Sequence, residues 1–209
     1  MKVLIACEES QRVCKAFREK GHEAYSCDII ECSGGHPEWH IMWDATAIVN
    51  GNCSFLTSDG ELHRIGKWDL IIAHPPCTYL SNAGARFLYP KGVLNEERLQ
   101  KGLEAKKFFM SLYNADCDKI CVENPVPSRA FELPQYTQTV QPYEHGHNVQ
   151  KKTCLWLKGL PHLKPTRIVN ERQSTKIAGN WFNKGGKDRQ KNRAKTFPGI
   201  ARAMAEQWG

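Results

Sequence analysis

The sequence predicts an α/β fold built on a mostly parallel, doubly wound sheet. Three observations lead there. The first 28 residues read strand, helix, strand, and parallel strands joined through a helix are the repeating unit of such sheets. Leu70 to Ala73 is an unbroken apolar run, the pattern of a strand buried on both faces. An amphipathic segment over 95–114 then leads into a further apolar run at 119–122, as a crossover helix and its strand would.

In chain order, residues 3–6 form the first strand. Ser10 is placed to cap the following helix, Val13, Ala16 and Phe17 form its apolar stripe, and Gly21 lies just past its end. Residues 24–27 are the second strand, closed by Asp28. The stretch 29–45 is broken by Gly34, Gly35 and Pro37; within it Trp39, Ile41 and Trp43 alternate as a short strand does, with Asp44 closing it. Cys27, Cys32, His36 and His40 gather here without the tight paired spacing of a zinc site, and the stretch reads as loop. Asp59-Gly60 between two short runs marks a small hairpin within 51–67. The helix over 95–114 carries Leu99, Leu103, Ala105, Phe108, Phe109 and Leu112. Residues 126–150, rich in Pro, Gln and Tyr, read as loop with one short strand near 139–141; 154–157 is another strand. Residues 198–208 form a closing helix with Pro198 near its start and Ile200, Met204 and Trp208 on one face.

A chain of 209 residues with 41% hydrophobic content fits one globular domain with a full core. No apolar run reaches the roughly 18 residues that span a bilayer. The N-terminal apolar run is too short for a secretory signal and passes into Glu8 and Glu9. Nine cysteines, several in strand-like runs, suit reduced thiols, so the expected location is cytoplasmic. The net charge of +7 is unevenly placed: residues 164–202 hold eleven Lys/Arg against Glu171 and Asp188. Such a basic stretch points to a polyanion, most simply nucleic acid, and Trp181 and Phe182 within it are suited to stack on bases. A solvated charged loop accounts for the same composition.

Pro75 and Pro76 cannot donate ladder hydrogen bonds and must end the central strand, which leaves Cys77 just past its carboxyl end. Ligands of open α/β sheets bind at that edge. Cys77 is therefore either a nucleophile or a buried, inert thiol. Glu123-Asn124-Pro125 is a second proline-ended loop at the same edge, and it carries a carboxylate. The first loop, Cys7-Glu8-Glu9-Ser10, points at a helix N-terminus, a natural place for a ligand's polar end. Asp28 is placed either to accept from a ribose or to close a turn.

The order of these motifs resembles the DNA cytosine-5 methyltransferases, especially the small forms of phages and prophages. Pro75-Pro76-Cys77-Thr78-Tyr79-Leu80-Ser81 is similar to that family's Pro-Cys nucleophile motif, and Glu123-Asn124-Pro125 to its Glu-Asn-Val motif. Gln150-x-Lys152 resembles its Gln-x-Arg-x-Arg motif, with Lys for the first Arg and Cys154 for the second. Residues 196–201 stand where the closing motif completes the cofactor pocket. The family's glycine-rich cofactor turn has no counterpart here, and only 42 residues, 154–195, stand in place of a large target-recognition domain.

The resemblance implies a Rossmann-like class I fold, S-adenosylmethionine as cofactor, and transfer of its methyl group to C5 of cytosine in DNA through a covalent Cys77–C6 adduct. It implies Cys77, Glu123 and Lys152 as catalytic residues. It assigns the cofactor to Cys7, Glu8, Glu9, Ser10, Asp28, Ile29, Asp44, His74 and Pro75. It assigns DNA to Ser81, Gln150, Lys184, Lys187, Arg189, Lys191 and Arg193, and a protein partner is a possible source of sequence specificity. The implied organisation is a catalytic core over 1–160, a basic recognition segment over 161–195 and a helix returning to the core over 196–209. Two alternatives stand beside this reading. One is a nucleic-acid-binding protein on a catalytically degenerate methyltransferase scaffold; the other is the same chemistry on RNA. Exocyclic-amine methyltransferases use an Asp/Asn-Pro-Pro-aromatic loop, and here His74 and Cys77 occupy its ends.

Overall fold

A computed structural model describes residues 1–174 and 189–209, the side chains of 189–191 excepted. The elements, in order, are β1 (Lys2–Ala6), α1 (Arg12–Glu19), β2 (Glu23–Asp28), β3 (His40–Met42), β4 (Cys53–Leu56), β5 (Leu62–Ile65), β6 (Leu70–Ala73), α2 (Glu96–Tyr113), β7 (Ile120–Pro125), β8 (Gln138–Val140), β9 (Val149–Gln150), β10 (Thr153–Lys158), β11 (Gln173–Ser174), α3 (Arg189–Ala194) and α4 (Pro198–Trp208). Seven strands form one sheet in the order β3-β2-β1-β6-β7-β10-β8. The first five of that order run parallel, and β10 runs antiparallel to both its neighbours. The chain builds outward from β1 to β3, then returns to β1's other side as β6. The strand order therefore reverses between β1 and β6, and a crevice opens there at the carboxyl ends.

Side chains alternate along each strand and feed two apolar layers. Val3, Ile5, Leu70, Ile72, Cys121 and Leu155 face α1 and α4. Leu4, Ala6, Ile71, Ala73, Val122 and Trp156 face α2 and the β4–β5 hairpin. Leu70 to Ala73 have no exposed surface, as expected of a strand covered on both sides. Lys2–Ala6, Glu23–Asp28 and the C-terminal helix fall where the sequence puts them.

Three local expectations are corrected. Ser10 does not cap α1; the buried Glu8 reaches past it and accepts from the backbone N–H groups of Val13 and Cys14 at 2.7 and 3.1 Å. A longer side chain is needed because Gln11 is in the left-handed conformation (φ 56°), which turns the chain between Ser10 and the helix. In α2 the buried stripe is Gly102, Phe109 and Leu112, while Leu103 is exposed, because the ring of Phe131 lies against Gly102. Finally, β7 does not stop at Val122. It pairs with β10 through Pro125, whose missing N–H falls at the last position of the ladder.

Candidate active site

The registers of the central strands decide what meets at their carboxyl ends. Ala73 lies beside Val122, so the next pair along β6 and β7 is His74 and Glu123. Ala73 and Val122 belong to the α2 layer. Alternation turns His74 and Glu123 to the opposite, α4 side, and there His74 Nδ1 and Glu123 Oε2 are 3.1 Å apart. Both side chains are largely buried, at 8% and 18% exposure. They line a cleft with Lys151, Thr153, Thr196 and Phe197.

The charges in this cleft are coupled. Burial alone disfavours the imidazolium of His74, but the hydrogen bond and charge of Glu123, with the charge of Glu8, raise its pKa above the ordinary value. Burial likewise opposes ionisation of Glu123, yet His74 and Lys151 hold its carboxyl below the usual range. The two shifts agree in direction: each favours the imidazolium–carboxylate form of the pair. The second ring nitrogen of His74, Nε2, is buried with no hydrogen-bond partner.

Cys77 follows on the loop after β6. Buried Pro75 stiffens the loop, and the Ser81 N–H donates to the Cys77 carbonyl at 3.0 Å. The same turn is sewn to the loop after β7, since Asn82 N–H donates to Val126 O and Ser128 N–H to Leu80 O. Burial pushes the Cys77 thiol up, Glu123 pushes it further, and Lys151 and Arg193 pull it back. The sheet therefore places Cys77 and Glu123 at neighbouring strand ends, where burial and Glu123 favour the thiol form of the sulfur.

Lys152 is not part of this group. It is exposed, and its charge acts on Cys154 instead. Lys151 replaces it. On β10 the residues Thr153 and Leu155 line the cleft, and Lys151 shares their parity, whereas Lys152 shares that of Cys154 and Trp156 on the α2 side. Lys151 Nζ donates to the carbonyl of Arg193 at 2.8 Å, which ties the cleft to α3. Period-two alternation along residues 151–157 was the signal that distinguishes the two lysines.

At the other end of the edge, Cys7 has a left-handed backbone (φ 59°) and its thiol is raised by burial and by the charges of Asp28, Cys27 and Asp44. Those two acids thus converge around the end of β1. Asp28 is half-buried, while Ile29 and Trp43 are 75% and 60% exposed beside it and Asp44. An acid flanked by bare apolar faces suits a nucleoside, the acid for the sugar hydroxyls and the faces for the base. Trp43 was absent from the sequence-predicted site. Glu8 lies elsewhere: its carboxylate is committed to the α1 N-terminus, so it is a cap and not a free ligand contact. Ser10 is buried, and Glu9 lies beside it on the same loop.

Among the proposed nucleic-acid residues, Ser81 is buried in the turn that bridges to Pro127, and Gln150 is exposed on β9, paired with β11. Arg193 is exposed. The backbone of Arg189 and Lys191 lies in α3. Lys184, Lys187, Trp181 and Phe182 lie outside the described residues. Among the described residues no group of three or more His, Cys, Asp or Glu side chains is arranged to hold a metal ion, and no helix is long and apolar enough to cross a membrane.

No family model and no curated protein matches the sequence. Among solved structures, the chain is similar to a candidate DNA modification methyltransferase encoded within an E. coli prophage, at 13% identity and a TM-score of 0.44, over 84% of this chain and 53% of that one. The chain thus spans about half the length of that structure. A likeness of this degree carries nothing about the chemistry at the edge of the sheet.

Proposed function

We propose that the chain is a DNA cytosine-5 methyltransferase of Rossmann-like class I fold that uses S-adenosylmethionine. The observation that carries this reading is the meeting of Cys77 and Glu123 on adjacent parallel strand ends, close enough for the carboxylate to perturb the thiol. Carbon 5 of cytosine is a poor nucleophile. A sulfur adding to C6 makes C5 enamine-like, and the N3 side of the ring then gains negative charge that a positioned acid must neutralise. Cys77 is the sulfur and Glu123 the group facing N3 and the exocyclic amine; acid–base help of this kind is worth about 10²–10⁴ in rate.

The residues at the ends of β1, β2 and β3 fit the nucleoside half of the cofactor. Asp28 would hold the ribose, and Ile29, Trp43 and Asp44 the adenine. Bound there, the cofactor supplies an electrophilic methyl group. Its positive sulfonium would also favour the Cys77 thiolate, which the free protein disfavours. The basic C-terminal stretch would hold DNA phosphates and offset the few kcal/mol that extruding the base costs.

A Cys77→Ser variant is expected to lose methyl transfer from labelled cofactor to cytosine-containing DNA, and to lose the covalent adduct with 5-fluorocytosine DNA, while binding both ligands as before. A serine variant with full activity sinks the mechanism. One observation favours a non-catalytic reading: Glu8 fills the α1 N-terminus, where the anionic end of a ligand is best received. Calorimetry separates the two. DNA binding without any S-adenosylmethionine binding would leave a nucleic-acid-binding protein on this scaffold. Methyl transfer to RNA in preference to DNA would change the substrate and keep the residue roles.

A further inference from the structure

The proposed function asks Glu123 to give a proton to the base, while its 3.1 Å contact with His74 favours the carboxylate. We infer that His74 is the positioning residue that stores this proton and passes it through Glu123 to the ring nitrogen of the bound pyrimidine. The inference rests on the proposed function and adds a role for a residue first assigned to the cofactor.

The geometry is direct. His74 Nδ1 sits 3.1 Å from Glu123 Oε2, and the second oxygen of Glu123 is left for a substrate. The opposite ring nitrogen is buried and unpartnered, so the proton on Nδ1 has one hydrogen-bonded route, toward Glu123. The titratable groups that act on the pair are Glu8 from the loop before α1, Cys77 from the loop after β6, Cys121 from β7, Lys151 from the segment before β10 and Cys154 from β10. Burial raises the Glu8 pKa while His74 acts to lower it, so a charge on either group favours the opposite charge on the other. Register alone places the pair, since any residue following Ala73 must stand beside the one following Val122.

The transfer balances. Cys77 first loses its thiol proton to solvent; the sulfur electron pair then forms the S–C6 bond as the C5–C6 double bond opens, and the displaced ring electrons reach N3. N3 takes a proton from Glu123, which takes one from His74 Nδ1, leaving a neutral imidazole and a carboxylate. When the adduct reverses, the S–C6 electron pair leaves with sulfur, the electrons held at N3 restore the C5–C6 double bond, and the N3 proton travels back through Glu123 to His74.

The test is adduct formation with 5-fluorocytosine DNA across pH, in wild type and in His74→Gln, whose amide keeps a hydrogen bond but cannot titrate. Wild-type adduct formation should fall on the alkaline side as His74 loses its proton, at a pH above the ordinary histidine range. In His74→Gln that fall should vanish, with the rate at neutral pH down about 10²-fold and DNA affinity unchanged. A folded His74→Gln protein with wild-type rate and pH profile overturns the inference alone. A wild type that forms no adduct at any pH overturns the methyltransferase reading and this inference together. Should His74→Gln fail to fold, NMR titration of the wild-type imidazoles decides. His74 is expected to hold its proton above the ordinary range and to release it at lower pH in Glu123→Gln; an imidazole indifferent to Glu123 overturns the inference.

Discussion

Cys77 shows how far a residue type goes and where its surroundings take over. Its place at a strand end follows from two prolines, and its acidity follows first from burial and then from three charges, of which only Glu123 belongs to a motif. Lys151 and Arg193 oppose Glu123 at the thiol. Lys151→Ala should therefore push the Cys77 pKa higher and slow its alkylation by iodoacetamide at fixed pH, followed on the Cys77 peptide by mass spectrometry. Lys152→Ala should leave that rate unchanged, because its side chain is exposed on the other face. The pair was legible in the residue types, and the choice between them in the alternation of β10, but motif matching alone picks the lysine that does not line the cleft. The His74–Glu123 contact was hidden for a different reason. It is a product of register, and register between β6 and β7 is set by how 46 intervening residues pack, from 74 to 119.

At the scale of elements, periodicity located strands and helices well, and it failed where one large side chain claimed a face. In α2 the alternation predicts Leu103 inward, yet Gly102 lies there because Phe131 needs the room. A β-carbon at 102 would meet Cε1 and Cζ of Phe131, a ring only 3% exposed. Gly102→Ala gains about 1 kcal/mol of helix propensity and incurs overpacking that typically costs about 1–3 kcal/mol. The variant should thus be destabilised, measured as a lower denaturant midpoint with unchanged slope, and Phe131→Leu in the same chain should relieve it. The α1 cap has the same lesson. A capping residue is sought at Ser10, but with the left-handed turn at Gln11 it is Glu8 that accepts from the first backbone N–H groups of the helix. That turn is held by tertiary bonds from Gln11 to Ser26 and His36, which no local pattern announces. The closing helix α4, by contrast, was read to the residue, because its apolar face, its N-terminal proline and its length all agree.

For the whole molecule, the sheet order and the charge distribution divide the labour. The reversal between β1 and β6 puts Asp28 and Asp44 on one side of the switch point and Cys77 and Glu123 on the other, the arrangement that the proposed function needs for a cofactor and a base to approach one another. The C-terminal segment then attaches at that crevice: Arg12 of α1 donates to the Thr196 carbonyl at 2.8 Å, and Lys151 to that of Arg193. The basic stretch leading into those anchors holds Lys184, Lys187, Arg189, Lys191, Arg193 and Lys195 with Asp188 as its one acid, and of these Arg193 is tied to the cleft through Lys151. If that stretch binds DNA through phosphates, affinity must fall steeply with salt, with a slope of about −0.9 in log K against log salt for each phosphate neutralised. Replacing Lys184, Lys187 and Lys191 together by Gln should then flatten the slope by about 2.7 and weaken binding equally for DNA of any sequence. The rate at saturating DNA should stay near wild type, since none of the three side chains is assigned to the base or the cofactor. A slope that does not change, measured by fluorescence anisotropy from low to moderate salt, would move the phosphate contacts off this stretch and onto the body of the sheet.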